Sequence, residues 1–222
     1  MTAFSTHPNS ATNTTDSACQ VLILYDTNGG NTYRMAQLIG RGVDSISGCK
    51  ASIRSVPKVG DRSSSRLPEI PDTGAPAVQA TDLVNCHGFI MGSPTHFGNM
   101  SASLKHFLDQ TTEQWFAGAL SGKPAAVFTS TGSMHGGQES TLLSMMIPLM
   151  HHGMLICGLP YSNPALMQTT RGGSPYGASH VAGEDGKSAL SEDETTLCKA
   201  LGSRVASIAK QLSATPASNG NL

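Results

Sequence analysis

A three-layer, doubly wound α/β fold around a five-stranded parallel sheet is predicted for this chain from three observations. Short apolar runs punctuate the sequence, and each reads as a strand buried on both faces. Segments with apolar residues at helical spacing alternate with them, so the strands are joined by helical crossovers, which makes the sheet parallel. Polar, glycine-containing loops follow three of the runs, on the sheet edge where ligands bind in such folds.

The elements follow in order. Gln20 to Tyr25 (QVLILY) is a first strand that ends at a turn. From Thr32 to about Ile46, Met35, Leu38, Ile39, Gly42, Val43 and Ile46 mark one face of a helix. Ala51 to Val56 is a second strand, and residues 57–80, rich in Pro, Ser and Gly, read as a long loop. A short helix over Thr81 to Val84 leads to a strand over His87 to Gly92. Leu104, Phe107 and Leu108 share a face in a helix over 101–110. Pro124 to Ser130 is a strand, and 138–152 a helix in which Pro148 predicts a kink or an early end, since an interior proline costs about 3 kcal/mol. Met154 to Gly158 is the fifth strand, 159–190 a long loop, and 192–212 the last helix.

The chain has 222 residues, enough for one domain with a full core. Residues 19–213 form that domain, between a Ser/Thr/Asn-rich tail at 1–18 expected to be disordered and a flexible tail at 214–222. Fourteen Lys and Arg against fifteen Asp and Glu leave a net charge of −1 with no basic cluster, which argues against nucleic acid and anionic membrane as partners and for a small molecule. The five cysteines are scattered without a C-x-x-C pair, and His87, His96, His106 and His180 have no ligand spacing. No disulfide framework or metal site is expected, and a cytoplasmic setting fits best. No apolar run is long enough to span a membrane.

The first loop, Thr27-Asn28-Gly29-Gly30-Asn31-Thr32, lies between a strand and a helix. Unpaired N–H groups at a helix start suit a phosphate. The loop holds no lysine and fits neither the nucleoside-triphosphate nor the dinucleotide glycine pattern, so its neutral donors point to one phosphate monoester. An ordinary capped turn is the other reading of this loop alone. The second loop is Gly92-Ser93-Pro94-Thr95-His96-Phe97-Gly98-Asn99-Met100, and the third is Ser130-Thr131-Gly132-Ser133-Met134-His135-Gly136-Gly137-Gln138-Glu139. Both are rich in glycine and small donors that can wrap a flat ring, although such loops also serve only as turns.

These runs, with Phe107-Leu108-Asp109-Gln110-Thr111, His151-His152-Gly153-Met154 and Arg171-Gly172-Gly173-Ser174-Pro175-Tyr176-Gly177-Ala178, resemble the WrbA family of NAD(P)H:quinone oxidoreductases, in the right order from about residue 20 to 212. The first loop resembles the phosphate loop of flavodoxins. The resemblance implies a flavodoxin-like fold, non-covalent FMN, NADH or NADPH as electron donor, and two-electron reduction of quinones by a ping-pong hydride mechanism. It also implies a homotetramer, a dimer of dimers. Carried over by position, Thr27, Asn28, Gly29, Gly30, Asn31 and Thr32 hold the phosphate. Pro94, Thr95, His96, Phe97, Gly98 and Asn99, with Ser130, Thr131, Gly132, Ser133, Met134, His135, Gly136 and Gly137, line the ring and its ribityl chain. His151 faces the flavin as the catalytic residue, and Trp115 walls the substrate pocket.

By their own pattern, His151 and His152 are helix C-terminal histidines, Trp115 is core or interface, and His135 is a surface loop residue. Met145, Met146, Met150 and Met154 could serve a subunit contact. Three departures from the family stand out. Gly29 replaces a Tyr that contacts the nicotinamide donor, His96 replaces an Arg, and the loop over 130–139 is one residue longer than the commonest version. The first two are expected to weaken donor binding. The alternative functions are a flavodoxin-type electron carrier and an FMN-binding protein without turnover. The near-zero charge, Trp115 and the 159–190 loop argue against the carrier.

Overall fold

The computed structural model describes residues 18–59 and 74–214. The two tails expected at 1–18 and 214–222 therefore lie almost wholly outside the described residues, as does the centre of the 57–80 loop. The elements are β1 (Cys19–Tyr25), α1 (Asn31–Asp44), β2 (Cys49–Ser55), α2 (Ala80–Asn85), β3 (Gly88–Pro94), α3 (Ala102–Asp109), α4 (Thr112–Phe116), β4 (Pro124–Thr131), α5 (Gln138–His151), β5 (Leu155–Ile156), α6 (Ala165–Gln168), β6 (Ala178–Val181) and α7 (Glu192–Ala214).

Every strand pairing is parallel, in the order β2-β1-β3-β4-β5 with β6 also on β4. The order reverses between β1 and β3, so the loops after these two strands diverge and open a crevice. β3 and β4 are buried along nearly their whole length, as their unbroken apolar runs require. Successive residues alternate between the faces of the sheet. Val21, Ile23, Tyr25, Ile90 and Phe128 pack under α1 and α7. Leu22, Leu24, Phe89, Met91 and Val127 meet Leu83, Leu104, Leu142, Met145 and Leu149 on the other face. α1 and α7 cross closely at two glycines: a Cβ on Gly42 would lie 2.1 Å from Lys199 O, and one on Gly202 would lie 2.0 Å from Ile39 O.

The predicted three-layer α/β fold is present, with one correction at its edge. The expected fifth strand over 154–158 shrinks to Leu155–Ile156, which pairs only with Pro124 and Ala125. The rest of that edge of β4, Phe128 to Thr131, pairs with β6, which lies inside the segment expected to be loop. Two segments thus share the fifth strand position. α4 and α6, of five and four residues, were also not expected. The early end that Pro148 could impose does not occur: α5 continues to His151. Leu142, Met145 and Leu149 are fully buried on this helix. At about 1.5–3 kcal/mol each, their burial outweighs the lost backbone bond.

All five cysteines are free and buried. Among the described residues no group of His, Cys, Asp or Glu could hold a metal ion, and no helix is long and apolar enough to cross a membrane.

Candidate functional site

At the C-terminal edge of the sheet, β1 runs into the loop 26–30 and then α1. Gly30 is the N-cap with φ +85, and no side chain caps the helix. The first helical bond runs from Arg34 N to Gly30 O. The backbone N–H groups of Asn28, Gly29, Asn31, Thr32 and Tyr33 donate to no other described residue. Five free donors at the positive end of a helix form an anion cradle. The space above Gly29 and Gly30 is open: chain neighbours aside, no atom of the described residues lies within 4 Å of an added Cβ on either.

The side chains of this loop are less available than the sequence suggests. The Thr27 hydroxyl accepts from Gly30 N at 3.0 Å. The Asn31 amide nitrogen donates to Gly186 O at 2.8 Å, and its oxygen accepts from Arg34. The cradle therefore works chiefly through its backbone. It is also not free of cations: Lys58, which follows β2, donates to the Asp26 carboxylate, to Thr27 O at 2.7 Å and to Asn28 Oδ1 at 3.0 Å. This corrects the reading of a loop with neutral donors alone.

The other two loops meet the first. Asn28 Nδ2 lies 3.4 Å from His96 Nε2. An amide nitrogen can only donate, so His96 accepts through Nε2. Thr95 N donates to Ser130 O at 2.9 Å, which joins the second and third loops. Its hydroxyl is turned inward, 3.0 Å from that of Thr141 and 3.3 Å from that of Thr129. His96 and Asn99 exchange backbone hydrogen bonds of 2.8 and 3.0 Å around Phe97 and Gly98, whose φ values are +51 and +76. Phe97 is thus held fully exposed in a conformation that costs an aromatic residue energy. Gly137, with φ +101, caps the start of α5 against Gly98 and Thr95. Next to it, Gln138 Oε1 is buried with no hydrogen-bond partner among the described residues.

Beside the second loop a cleft of about 770 Å³ opens between α3, α4 and α5. Asn99, Met100, Trp115, Ile147, His151 and His152 are among its lining residues. The Trp115 indole N–H donates to His151 O at 2.8 Å, which joins α4 to the end of α5 and fixes the ring at the wall. The His151 side chain is exposed. His152 is held differently. The Thr111 hydroxyl donates to Leu108 O at 2.7 Å, so it accepts from His152 Nε2 at 3.0 Å. That leaves His152 Nδ1 bare, buried and without a partner among the described residues. Burial, with His151 beside it, pushes the His152 pKa down, so this ring stays neutral.

A fourth segment closes the edge. It follows β6, and its Ala182 N donates to Thr131 O at 2.8 Å. A Cβ on Gly132 would lie 3.5 Å from Gly183 O. With the Asn31–Gly186 contact, the strap over 182–188 therefore touches both the first and the third loop. Glu194 of α7, fully buried, anchors it: its carboxylate accepts from Gly172 N, Val181 N, Ser191 N and His180 Nδ1 at 2.7–3.0 Å. Burial alone would raise this carboxyl, but the His180 and backbone hydrogen bonds prevail and hold its pKa at about 2. The strap and Lys58 carry no local signal in the sequence, whereas Gln138 lies in the third loop's run, directly after Gly137 at a helix start, without a site role of its own there.

The residues fit a flavin mononucleotide. The cradle matches a phosphate, the three meeting loops match a ring and its side chain, and the orphaned Gln138 oxygen calls for a donor. Comparisons with known proteins agree. Residues 19–163 match the NADPH-dependent FMN reductase family. A protein of Syntrophobacter fumaroxidans named NAD(P)H dehydrogenase (quinone) is 42% identical over 202 residues, which span 87% of this chain and 98% of that one. One of the same name from Trichlorobacter lovleyi is 38% identical over 202 residues, 88% of this chain and 99% of the other. Among solved structures, a WrbA-like flavodoxin from Agrobacterium tumefaciens superposes with a TM-score of 0.61 at 21% identity, over 87% of this chain and 98% of its own. A flavodoxin from the domain Archaea gives 0.56 at 20% identity, over 86% and 99%. At these identities the two structures bear on the fold alone.

Proposed function

This chain belongs to the NADPH-dependent FMN reductase family, and from that premise we propose that it is an FMN-dependent NAD(P)H:quinone oxidoreductase of the WrbA type. The observation that carries the proposal is the row of five free amides at an uncapped helix start, on the same edge as a cleft walled by an aromatic ring and two histidines. FMN, when bound, supplies two-electron hydride chemistry between a nicotinamide and a quinone, and the protein supplies position and electrostatics.

The backbone of Asn28, Gly29 and Asn31 to Tyr33 holds the phosphate. Loops 94–99 and 130–137 hold the ring and its ribityl chain. Trp115 offers a flat apolar face to an aromatic substrate, and the exposed His151 imidazole hydrogen-bonds a quinone oxygen and carries its proton. Ile147 and Pro148 keep that wall apolar. One cleft serves donor and acceptor in turn, which gives ping-pong kinetics. Exposed Phe97, Trp115, Phe116, Leu143, Ile147 and Met150 surround this end of the molecule and support self-association, with a homotetramer as the expected state.

The test is a visible spectrum of the purified protein with added FMN, followed by NADH and NADPH oxidation with and without a quinone. Uptake of FMN with quinone-dependent oxidation is expected, and Thr32→Glu, which places a carboxylate in the cradle, abolishes uptake. A wild type that takes up no FMN overturns the proposal. FMN uptake without turnover converts it to a carrier or binding protein.

A further inference from the structure

We propose that Lys58 is the positioning residue of the phosphate cradle, and that it makes the cradle selective for a phosphorylated flavin by cancelling the charge of Asp26. The inference rests on the FMN reading above and deepens it.

An ammonium has three donors, and those of Lys58 are matched by three acceptors: the Asp26 carboxylate, Thr27 O and Asn28 Oδ1. Lys58 is therefore not a spare cation that waits for a ligand. Its work is done on the loop itself, in three ways.

The first is charge. Asp26 sits at the end of β1, directly before the cradle, and is only 3% exposed. Its carboxylate takes the Thr27 N–H at 2.8 Å and so fixes the entry to the loop. Left alone, a buried carboxylate here would repel a phosphate dianion held one or two residues away, and the low local dielectric would strengthen the repulsion. Lys58 balances it. The second is orientation. The Thr27 carbonyl is drawn toward Lys58, and a planar trans peptide then turns the Asn28 N–H to the opposite side. That N–H is one of the five free donors. The third is registration. Because Asn28 Oδ1 faces Lys58, its Nδ2 must face His96, and the first loop is tied to the second. One side chain thus sets the charge, the donor direction and the loop spacing of the cradle.

Phosphate selectivity separates this role from a general brace. Titrate the full-length apoprotein with FMN and with riboflavin, which lacks the phosphate, and follow flavin fluorescence. Compare wild type, Lys58→Met, Asp26→Asn and the double variant. Loss of a charge-assisted contact predicts an FMN Kd raised about tenfold or more in Lys58→Met. The riboflavin Kd should rise clearly less than the FMN Kd, since only the loosened tie between the first two loops affects it. Asp26→Asn alone should leave FMN binding equal or tighter, and the double variant should recover most of the lost FMN affinity. Riboflavin binding also reports whether each variant is folded. Equal weakening of FMN and riboflavin in Lys58→Met overturns the proposal in favour of a plain brace. A double variant no better than Lys58→Met overturns it in favour of direct attraction of the phosphate. A wild type that binds neither flavin removes the functional reading and this inference with it, whereas FMN binding that is unchanged in Lys58→Met removes this inference alone.

Discussion

Glu194→Gln should destabilise the apoprotein by about 3 kcal/mol near neutral pH, and the loss should shrink in acid. The carboxyl is held at about 2 against an ordinary 4.5, and each tenfold change in proton affinity between the folded and unfolded chain is worth about 1.4 kcal/mol. A depressed carboxyl contributes stability that is fully present above about 4.5 and is lost as the pH falls toward 2. Protonated Glu and Gln are near equivalents, since each puts a donor where Oε1 or Oε2 accepted. The difference between wild type and variant should therefore be largest at pH 7, shrink from pH 4.5 downward and fall to about 1.4 kcal/mol, less than half, by pH 3. Urea unfolding of both proteins from pH 7 to 3 measures it. A difference that stays constant over that range would show that the charge of Glu194 is not the source. The same variant carries a functional reading. Glu194 holds His180, whose Nε2 faces Ser188 O at 3.2 Å, and through it the strap that touches Asn31. FMN should therefore dissociate faster from Glu194→Gln at pH 7, with little change in association.

Two further predictions concern the loops. Gly137→Ala would place a Cβ 3.0 Å from Gly98 Cα and 3.2 Å from Thr95 Cγ2 at φ +101, so a loss of about 1–3 kcal/mol and weaker FMN binding are expected; an unchanged melting temperature and FMN Kd would refute the contact. His96→Arg restores a bidentate cation beside the cradle and should lower the donor KM at pH 7.5 by about one to two decades, with the quinone half-reaction unaltered; identical donor affinity in stopped-flow reduction would show that His96 does not touch the donor.

What the sequence made legible was local. β1, β3 and β4 are continuous apolar runs that only a strand buried on both faces tolerates, and each loop that follows carries glycines where the backbone needs positive φ, at Gly30, Gly98 and Gly137. A strand, a turn and an uncapped helix start are written within a dozen residues, so the phosphate cradle could be placed without any tertiary information. β6 could not. Four residues, two of them Ser and His, carry no period of their own. They are a strand because the edge of β4 beyond Ala125 has no other partner, a condition set some fifty residues earlier in the chain. Pro148 misled for the converse reason: its local cost is real, but the burial of Leu142, Met145 and Leu149 is not local and is larger.

The charges of the site show the same division most sharply. Asp26 beside a phosphate loop has the wrong sign when the loop is read alone, and Lys58, 32 residues away across β2, has no visible purpose. Neither spacing nor residue type pairs them, because β1 and β2 are brought side by side only by the parallel sheet. Once paired, they leave the cradle near neutral and its amides aimed by hydrogen bonds rather than by loose charge. Such a cradle holds a phosphate through donors of fixed direction, which discriminates by shape. A free lysine would have held any anion. The selectivity of this edge for a phosphorylated flavin is therefore a property of the fold, written by two residues that acquire meaning only when the sheet has formed.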